Sequence, residues 1–107
     1  MIVTPASTVA GYRVIKTVGL ARGNTIRALH VGKDIVAHFK NFVGGEIEEY
    51  TKMMAEAREQ AIDRMIADAE SLGANAVTDM RFSTAEIMTA AAEILAYGSA
   101  VVIEPES

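Results

Sequence analysis

Residues 42–73 read FVGGEIEEYTKMMAEAREQAIDRMIADAESLG, and this stretch decides the fold. After Gly44 and Gly45, the residues as far as Leu72 favour a helix, and Gly73 is a suitable residue to end one. Such a helix would be about 40 Å long at about 1.5 Å per residue. A domain of this size has a radius of gyration of only about 13 Å. The predicted helix therefore runs the full length of the fold or beyond it.

The apolar face of this helix is wider than one small sheet can cover. At about 100° per residue, one stripe holds Ile47, Tyr50, Met54, Ala57, Ala61, Met65 and Leu72. Met53, Ile62, Ile66 and Ala69 flank that stripe, so that the apolar arc spans about 200°, roughly twice what a one-sided surface helix needs. The width predicts an assembly in which another subunit covers part of the arc.

Strand-forming segments lie on both sides of the helix. The predicted strands, chosen for their Val, Ile, Thr and Tyr content, are Met1–Thr4, Tyr12–Arg22, Asn75–Thr84 and Ile94–Glu104. Met1–Thr4 is expected beside Tyr12–Arg22, and Gly23-Asn24 is expected to be a turn before a return strand, Thr25–Leu29. Lys33–Phe42 is predicted to be a short helix. Residues 84–93 fit either an extension of both flanking strands into a long hairpin or a helical turn.

The last predicted strand is apolar on both of its faces. Leu95, Tyr97, Val101 and Ile103 alternate with Ile94, Ala96, Ala100 and Val102. A strand of this kind is buried on both sides, and one helix layer covers only one of them. A second subunit is the expected cover for the other.

Composition narrows the class of protein. The 107 residues are expected to form a single domain, 1–107. A formal charge of −4, dispersed basic residues and the lack of Trp argue against nucleic-acid binding. The absence of cysteine excludes disulfides, thiol catalysis and Cys-based zinc sites. The start of the chain lacks a signal-peptide pattern and no apolar run is long enough to span a bilayer, so we expect a cytoplasmic protein that does not enter membranes.

Four sequence blocks give the chain a family resemblance. These blocks are Phe42–Gly45, Ala57–Glu59, Leu72–Val77 and Ala92–Val101. The identity and order of these blocks resemble those of the YbjQ family. Its members are small prokaryotic proteins of unassigned function, sometimes described as heavy-metal-binding domains. The resemblance covers almost the whole chain. It implies an α+β subunit like those of the dodecin group, with an antiparallel sheet packed against one long and one short helix, assembled as a ring, with a homopentamer as the suggested form.

The chain departs from the family pattern at two places. Thr78-Asp79-Met80 introduces a polar residue where relatives tend to have apolar residues or glycine, and Lys16 stands where an acidic or aromatic residue is usual. No catalytic residues are established for the family, so the resemblance supplies none here.

Metal-binding residues are few. His30 and His38 are the only histidines, and they lack a companion in an HxxxH or similar pattern, so a metal site would need ligands from several subunits. Glu46, Glu48 and Glu49 begin the long helix and could hold a hard cation. Carboxylates in a first helical turn also simply stabilise the helix dipole, and this structural reading is favoured.

Two charged residues lie inside the apolar arc of the long helix. Arg58 falls between Met65 and Ala69 on the helical wheel, and Asp68 falls near Tyr50 and Ala61. Because burying an unpaired charge costs several kcal/mol, each is expected to be paired or hydrogen-bonded, most simply across an element or subunit boundary. Their separation along the helix is about 15 Å, so they do not pair with each other within one subunit.

Three function classes remain. The favoured class is a ring-forming binding or scaffold protein that holds a ligand or partner between subunits. For this class the sequence predicts no catalytic residues and assigns no cofactor. The second is a metal-binding protein whose ligands, from His30, His38, Glu46 and Glu49, are shared between subunits. The third is an enzyme with an intersubunit site around Arg58, Asp68, Tyr12 or Tyr97.

Overall fold

Four strands and one long helix form the part of the chain that the computed structural model describes, residues 1–28, 45–88 and 91–107. Side chains within the helix are described from Glu48 onward. The elements are β1 (Ile2–Val3), β2 (Tyr12–Ala28), α1 (Gly45–Ser71), β3 (Ala76–Met88) and β4 (Ala91–Pro105). The α+β class is confirmed, and the predicted short helix over Lys33–Phe42 lies outside the described residues.

The sheet is mixed rather than purely antiparallel, which corrects the sequence prediction. Its order is β1-β3-β4-β2; β4 is antiparallel to both of its neighbours, whereas β1 pairs parallel with β3. The expectation that Met1–Thr4 would lie beside Tyr12–Arg22 was therefore wrong. The first strand adds to the outer edge of β3 instead, where Thr4 N donates to Val77 O at 2.9 Å.

The predicted turn at Gly23-Asn24 does not exist, because β2 runs without a break for 17 residues. Gly23 has a different role: it lies under the helix, where a Cβ atom would be 2.5 Å from the carbonyl oxygen of Ala61. The missing side chain lets strand and helix backbones approach each other. The sequence pair that looked like a turn is a close-packing position.

The hairpin interpretation of residues 84–93 is confirmed for the described residues. β3 extends to Met88 and β4 begins at Ala91, with Glu86 opposite Ala92 and Met88 opposite Ala91. The three long strands make the protomer elongated, with extents of 60 × 23 × 15 Å and a radius of gyration of 17.6 Å. That radius exceeds the value of about 13 Å expected for a compact domain of this length.

Helix α1 lies where the sequence predicted it, and Gly73 explains why it ends after Ser71. Gly73 adopts a positive φ of 87°, with Gly73 N donating to Glu70 O and Ala74 N donating to Ala69 O, both at 3.0 Å. These two bonds define a Schellman motif, which satisfies carbonyl groups at the helix end. The chain then turns directly into β3.

The helix packs on the sheet through small side chains. Ala57, Ala61, Met65 and Ala69 are fully buried at i, i+4 spacing against Ala21, Ile94, Ala96 and Ala100. This stripe is narrower than the predicted apolar arc, since Arg58 and Leu72 are exposed in the protomer. Small residues on both sides explain why one helix can lie so close to a long strand.

The second face of β4 is partly covered by the chain itself, which corrects the expectation that only another subunit could cover it. Val101 and Ile103 form a second buried cluster with Ala76, and Val9 from the β1–β2 connection packs on that cluster. Nearer the hairpin, Leu95 and Tyr97 on the same face are only half-buried. The uncovered area is therefore confined to one end of the sheet.

Candidate functional site

The candidate metal ligands do not form a cluster in the described residues. Glu49 is an exposed residue of the first turns of α1, and the backbone of Glu46 lies in its first turn. His30 and His38 lie outside the described ranges. Among residues 1–28, 45–88 and 91–107, no group of three or more His, Cys, Asp or Glu side chains is arranged to hold a metal ion.

Arg58, Asp68 and Tyr97 occupy three separate places. Arg58 is exposed on α1, Asp68 is half-buried near the end of the same helix, and Tyr97 is half-buried on β4. The register places Tyr97 opposite Arg22 of β2 on one side and Arg81 of β3 on the other. The structure thus gives Asp68 a role within one protomer, while Arg58 remains on the surface.

Asp68 caps the outer edge of β2. Its Oδ2 atom accepts a hydrogen bond of 3.0 Å from the backbone N–H of Arg22. Two positions further along β2, Arg64 Nη1 donates to Asn24 O at 2.6 Å. Through Asp68 and Arg64, helix side chains therefore satisfy backbone groups that an edge strand would otherwise leave unpaired. In the opposite direction, Thr25 Oγ1 of the strand donates to Ala57 O of the helix at 2.8 Å. The partner of Asp68 is a backbone amide, and its contribution is to hold strand and helix together.

We expect Asp68→Ala to destabilise the protomer by about 0.5–1.5 kcal/mol, because the Arg22 amide would lose its acceptor. Hydrogen exchange should locate the effect: the Arg22 amide should exchange faster, with smaller changes at amides that pair with β4. Asp63→Ala, an exposed carboxylate on the same helix, is the matched control. Equal protection of Arg22 in both variants would contradict the capping role.

A bulge in β3 interrupts its regular pairing with β4. Asp79 has a positive φ of 54°, and the pairing with β4 shifts between Thr78 and Arg81. Gly98 lies opposite, where a Cβ atom would be 2.6 Å from Val77 Cγ1 and 2.8 Å from Thr78 O. The bulge is thus possible because Gly98 leaves room for the displaced backbone.

The segment after β1 is fastened to this bulge. Asp79 N donates to Ala6 O at 3.0 Å and Met80 N donates to Thr4 O at 3.1 Å. Ser7 Oγ donates to Asp79 Oδ1 at 2.9 Å, and Arg81 Nη1 donates to Pro5 O at 2.9 Å. Asp79 therefore anchors a neighbouring segment.

A wide, open recess of about 670 Å³ lies beside the bulge, lined by Pro5, Ala6, Met80, Arg81 and Phe82. Its walls are mostly apolar, and the Arg81 guanidinium supplies one cation. Arg81 Nη1 is already engaged by the carbonyl oxygens of Pro5 and Met80. The lining residues include no base that would activate a nucleophile.

Sequence reasoning missed the contributions of Arg64, Ser7 and Asn75. Asn75 acts like an additional strand residue, because its side-chain amide donates to Ile103 O at 2.9 Å and accepts from Ile103 N at 2.7 Å. This contact joins residues 28 positions apart, so a short window of sequence does not predict it. The partners of Arg64 and Ser7 are distant in sequence, so no local pattern predicts them.

Fold and site define a small α+β protein with a bulged sheet edge and no evident catalytic group among the described residues. Residues 1–104 match the family model YbjQ, described as "Putative heavy-metal-binding". The chain belongs to this family, as its motif blocks predicted. The described helix is not long and apolar enough to cross a membrane.

Sequence relatives share nearly the full length. A UPF0145 protein of Dehalococcoides mccartyi is 56% identical over 97% of this chain and 100% of its own. One from Methanosarcina acetivorans is 55% identical over 96% of this chain and 97% of its own. One from Pyrococcus abyssi is 54% identical over 99% of this chain and 93% of its own. The relatives span bacteria and archaea, and their names state no activity.

A solved structure shares the fold. The crystal structure of a protein of unknown function from Pediococcus pentosaceus, assigned to the DUF74 family, has a TM-score of 0.56 to this chain. It is 15% identical, with 97% of this chain and 98% of that chain covered. At that identity the likeness concerns the fold alone.

Proposed function

We propose that the chain is the subunit of a closed homo-oligomeric ring, a homopentamer, that acts as a binding or scaffold protein without chemistry of its own. In this proposal a ligand or partner is held in the pore or between subunits. The observation that carries it is the apolar surface that a single protomer leaves in water. Exposed fractions are 52% for Ile15, 56% for Leu20, 61% for Ile26, 54% for Ile87 and 66% for Met88.

The distribution of these residues favours self-association over random exposure. Scattered apolar side chains are normal on a surface, but these lie on the two outer long strands, β2 and β3, of an elongated sheet. Edge strands of that kind recruit further strands. A ring satisfies both edges of every copy, which a monomer does not.

Native mass spectrometry of freshly purified protein tests this function. The expected result is one discrete multimer of the 11.4 kDa chain together with a constant extra mass from a co-purifying ligand. A discrete multimer with no added mass after gentle purification would favour a scaffold role over ligand binding. A ladder of aggregates, or a single chain only, would contradict the ring.

Metal binding is a second candidate, supported by the family's description. The described part of one protomer holds no metal-binding cluster, and in this candidate the ligands are shared between copies. The native mass spectra also test this candidate. Zinc bound in a fixed ratio to the wild-type protein, and lost from the double variant His30→Ala with His38→Ala, would support it. Zinc retained unchanged by that double variant would exclude histidine-based sharing.

A further inference from the structure

Two strand edges have no partner in the part of the chain that the structure describes. β2 pairs with β4 on one side only, so its outer edge is free between Tyr12 and Leu20. β3 is paired to β1 over Ala76–Val77, with Thr4 reaching Met80, so its outer edge is free from Phe82 to Met88. Unpaired N–H and C=O groups along such edges template addition of another strand.

The free part of β2 has a defined limit. Beyond Leu20 the outer edge is capped by the helix, through Asp68 to the N–H of Arg22 and Arg64 to the carbonyl of Asn24. Residues 12–20 have no such cap among the described residues and lack proline, a common means of blocking an edge. Their pairing with β4 shifts at two bulges, between Val14 and Lys16 and between Thr17 and Gly19. The two free stretches, residues 12–20 of β2 and 82–88 of β3, are similar in length.

Both free stretches carry apolar side chains and opposite charges. Val14, Ile15 and Leu20 are 43–56% exposed on β2, and Phe82, Ile87 and Met88 are 41–66% exposed on β3. Lys16 is a cation of the first stretch and Glu86 is the acidic residue of the second. The other cation of the first stretch, Arg13, is already in an ion pair with Glu104.

Lys16 and Glu86 lie on the same face of the sheet. Lys16 is opposite Val102 and Glu86 is opposite Ala92. Val102 and Ala92 are separated by an even number of positions on β4, and alternate residues of a strand share a face. A strand from one copy beside a strand of another would therefore bring the two side chains together on that face.

The topology sets the direction of addition. β2 and β3 are each antiparallel to β4, so they are parallel to each other. If neighbouring copies are related by rotation about an axis parallel to the strands, β2 of one copy lies parallel to β3 of the next copy. The contact is head-to-tail, because it joins different surfaces of the two copies. Repeating it closes a ring when the rotation angle divides 360° evenly. Antiparallel addition would reverse the strand direction at each step and could not close with five subunits.

We propose that the copies join by parallel pairing of residues 12–20 of β2 with residues 82–88 of β3 of the next copy, with Lys16 against Glu86. The proposal rests on the proposed function, because it specifies the interface of the same ring. The recess beside Arg81 and Phe82 lies at the start of the free β3 edge. It receives apolar side chains from the added strand.

A charge exchange tests this pairing. Lys16→Glu and Glu86→Lys are each expected to weaken assembly at least tenfold, measured as the protomer concentration at half-dissociation by light scattering. The combined variant Lys16→Glu with Glu86→Lys should restore assembly to within about threefold of the wild type. Lys52→Glu, an exposed position on α1, is the control and should assemble normally. Circular dichroism confirms that each variant is folded.

The outcomes separate this inference from the proposed function. A monomeric wild-type protein would overturn both. A wild-type ring that both single reversals leave intact would overturn the edge pairing alone, as would single reversals that disrupt the ring without restoration in the combined variant. If the charge reversals change the half-dissociation concentration too little to measure, the variants Ile15→Lys and Ile87→Lys each place a charge on one of the apolar edges. Normal assembly of these two variants would also overturn the pairing.

Discussion

Gly23→Ala is expected to destabilise the protomer by about 3 kcal/mol or more. The added Cβ would lie 2.5 Å from Ala61 O and 2.7 Å from the carbonyl carbon of Arg64, and closer still to Met65 N. All three atoms belong to the helix backbone, so no side-chain rotation relieves the clash. The helix would have to move away from β2.

Urea unfolding at one fixed protomer concentration measures this effect, because association would otherwise shift the midpoint. Asn24→Ala is the control, since it places the same side chain at the next residue of β2, on the opposite face of the strand. We expect Asn24→Ala to change stability by less than about 1 kcal/mol. A Gly23→Ala protein as stable as the Asn24→Ala protein would show that helix and strand are not in close contact there.

Met65→Ala is expected to cost about 2–5 kcal/mol, as is usual when a large core side chain is truncated. Met65 is fully buried and is among the largest such side chains in the described residues. Its neighbours on the helix stripe are alanines, whose short side chains cannot extend to fill the space. The cavity would therefore persist instead of collapsing.

The half-buried Met53 of the same helix provides the comparison. Met53→Ala should cost less than half as much as Met65→Ala in the same urea experiment, because less apolar surface is lost from the interior. Equal costs at the two positions would mean that the alanine stripe is not the centre of the core.

Sequence patterns predicted the regular elements because their causes are local. The residues from Gly45 to Ser71 favour a helix one by one, and Gly73 ends it through its own backbone freedom. The hairpin between β3 and β4 was one of two open interpretations, and propensity alone could not choose between them. Pairing with β4 over its full length resolved the choice in favour of strands.

The errors arose where a distant partner sets the local structure. Gly23-Asn24 matches a turn in sequence, but the approach of Ala61 and Met65 explains the glycine instead. Likewise, β1 lies beside β3 because the bulge at Asp79 offers hydrogen-bonding groups to the segment from Thr4 to Ala6. Neither contact leaves a mark in a short window of sequence.

The candidate site was predicted only in part for a similar reason. Asp68 was expected to need a partner, and it has one, but that partner is the backbone of Arg22 and not a charged side chain. Arg58 is exposed in the protomer, so its interface role remains a prediction that concerns several copies.

Light scattering coupled to size exclusion tests the central claim, that the surfaces left uncovered in one protomer are covered by further copies. At micromolar concentration we predict a single species of five times the 11.4 kDa protomer mass, unchanged on tenfold dilution. A folded, monodisperse protein of 11.4 kDa under the same conditions would contradict the claim.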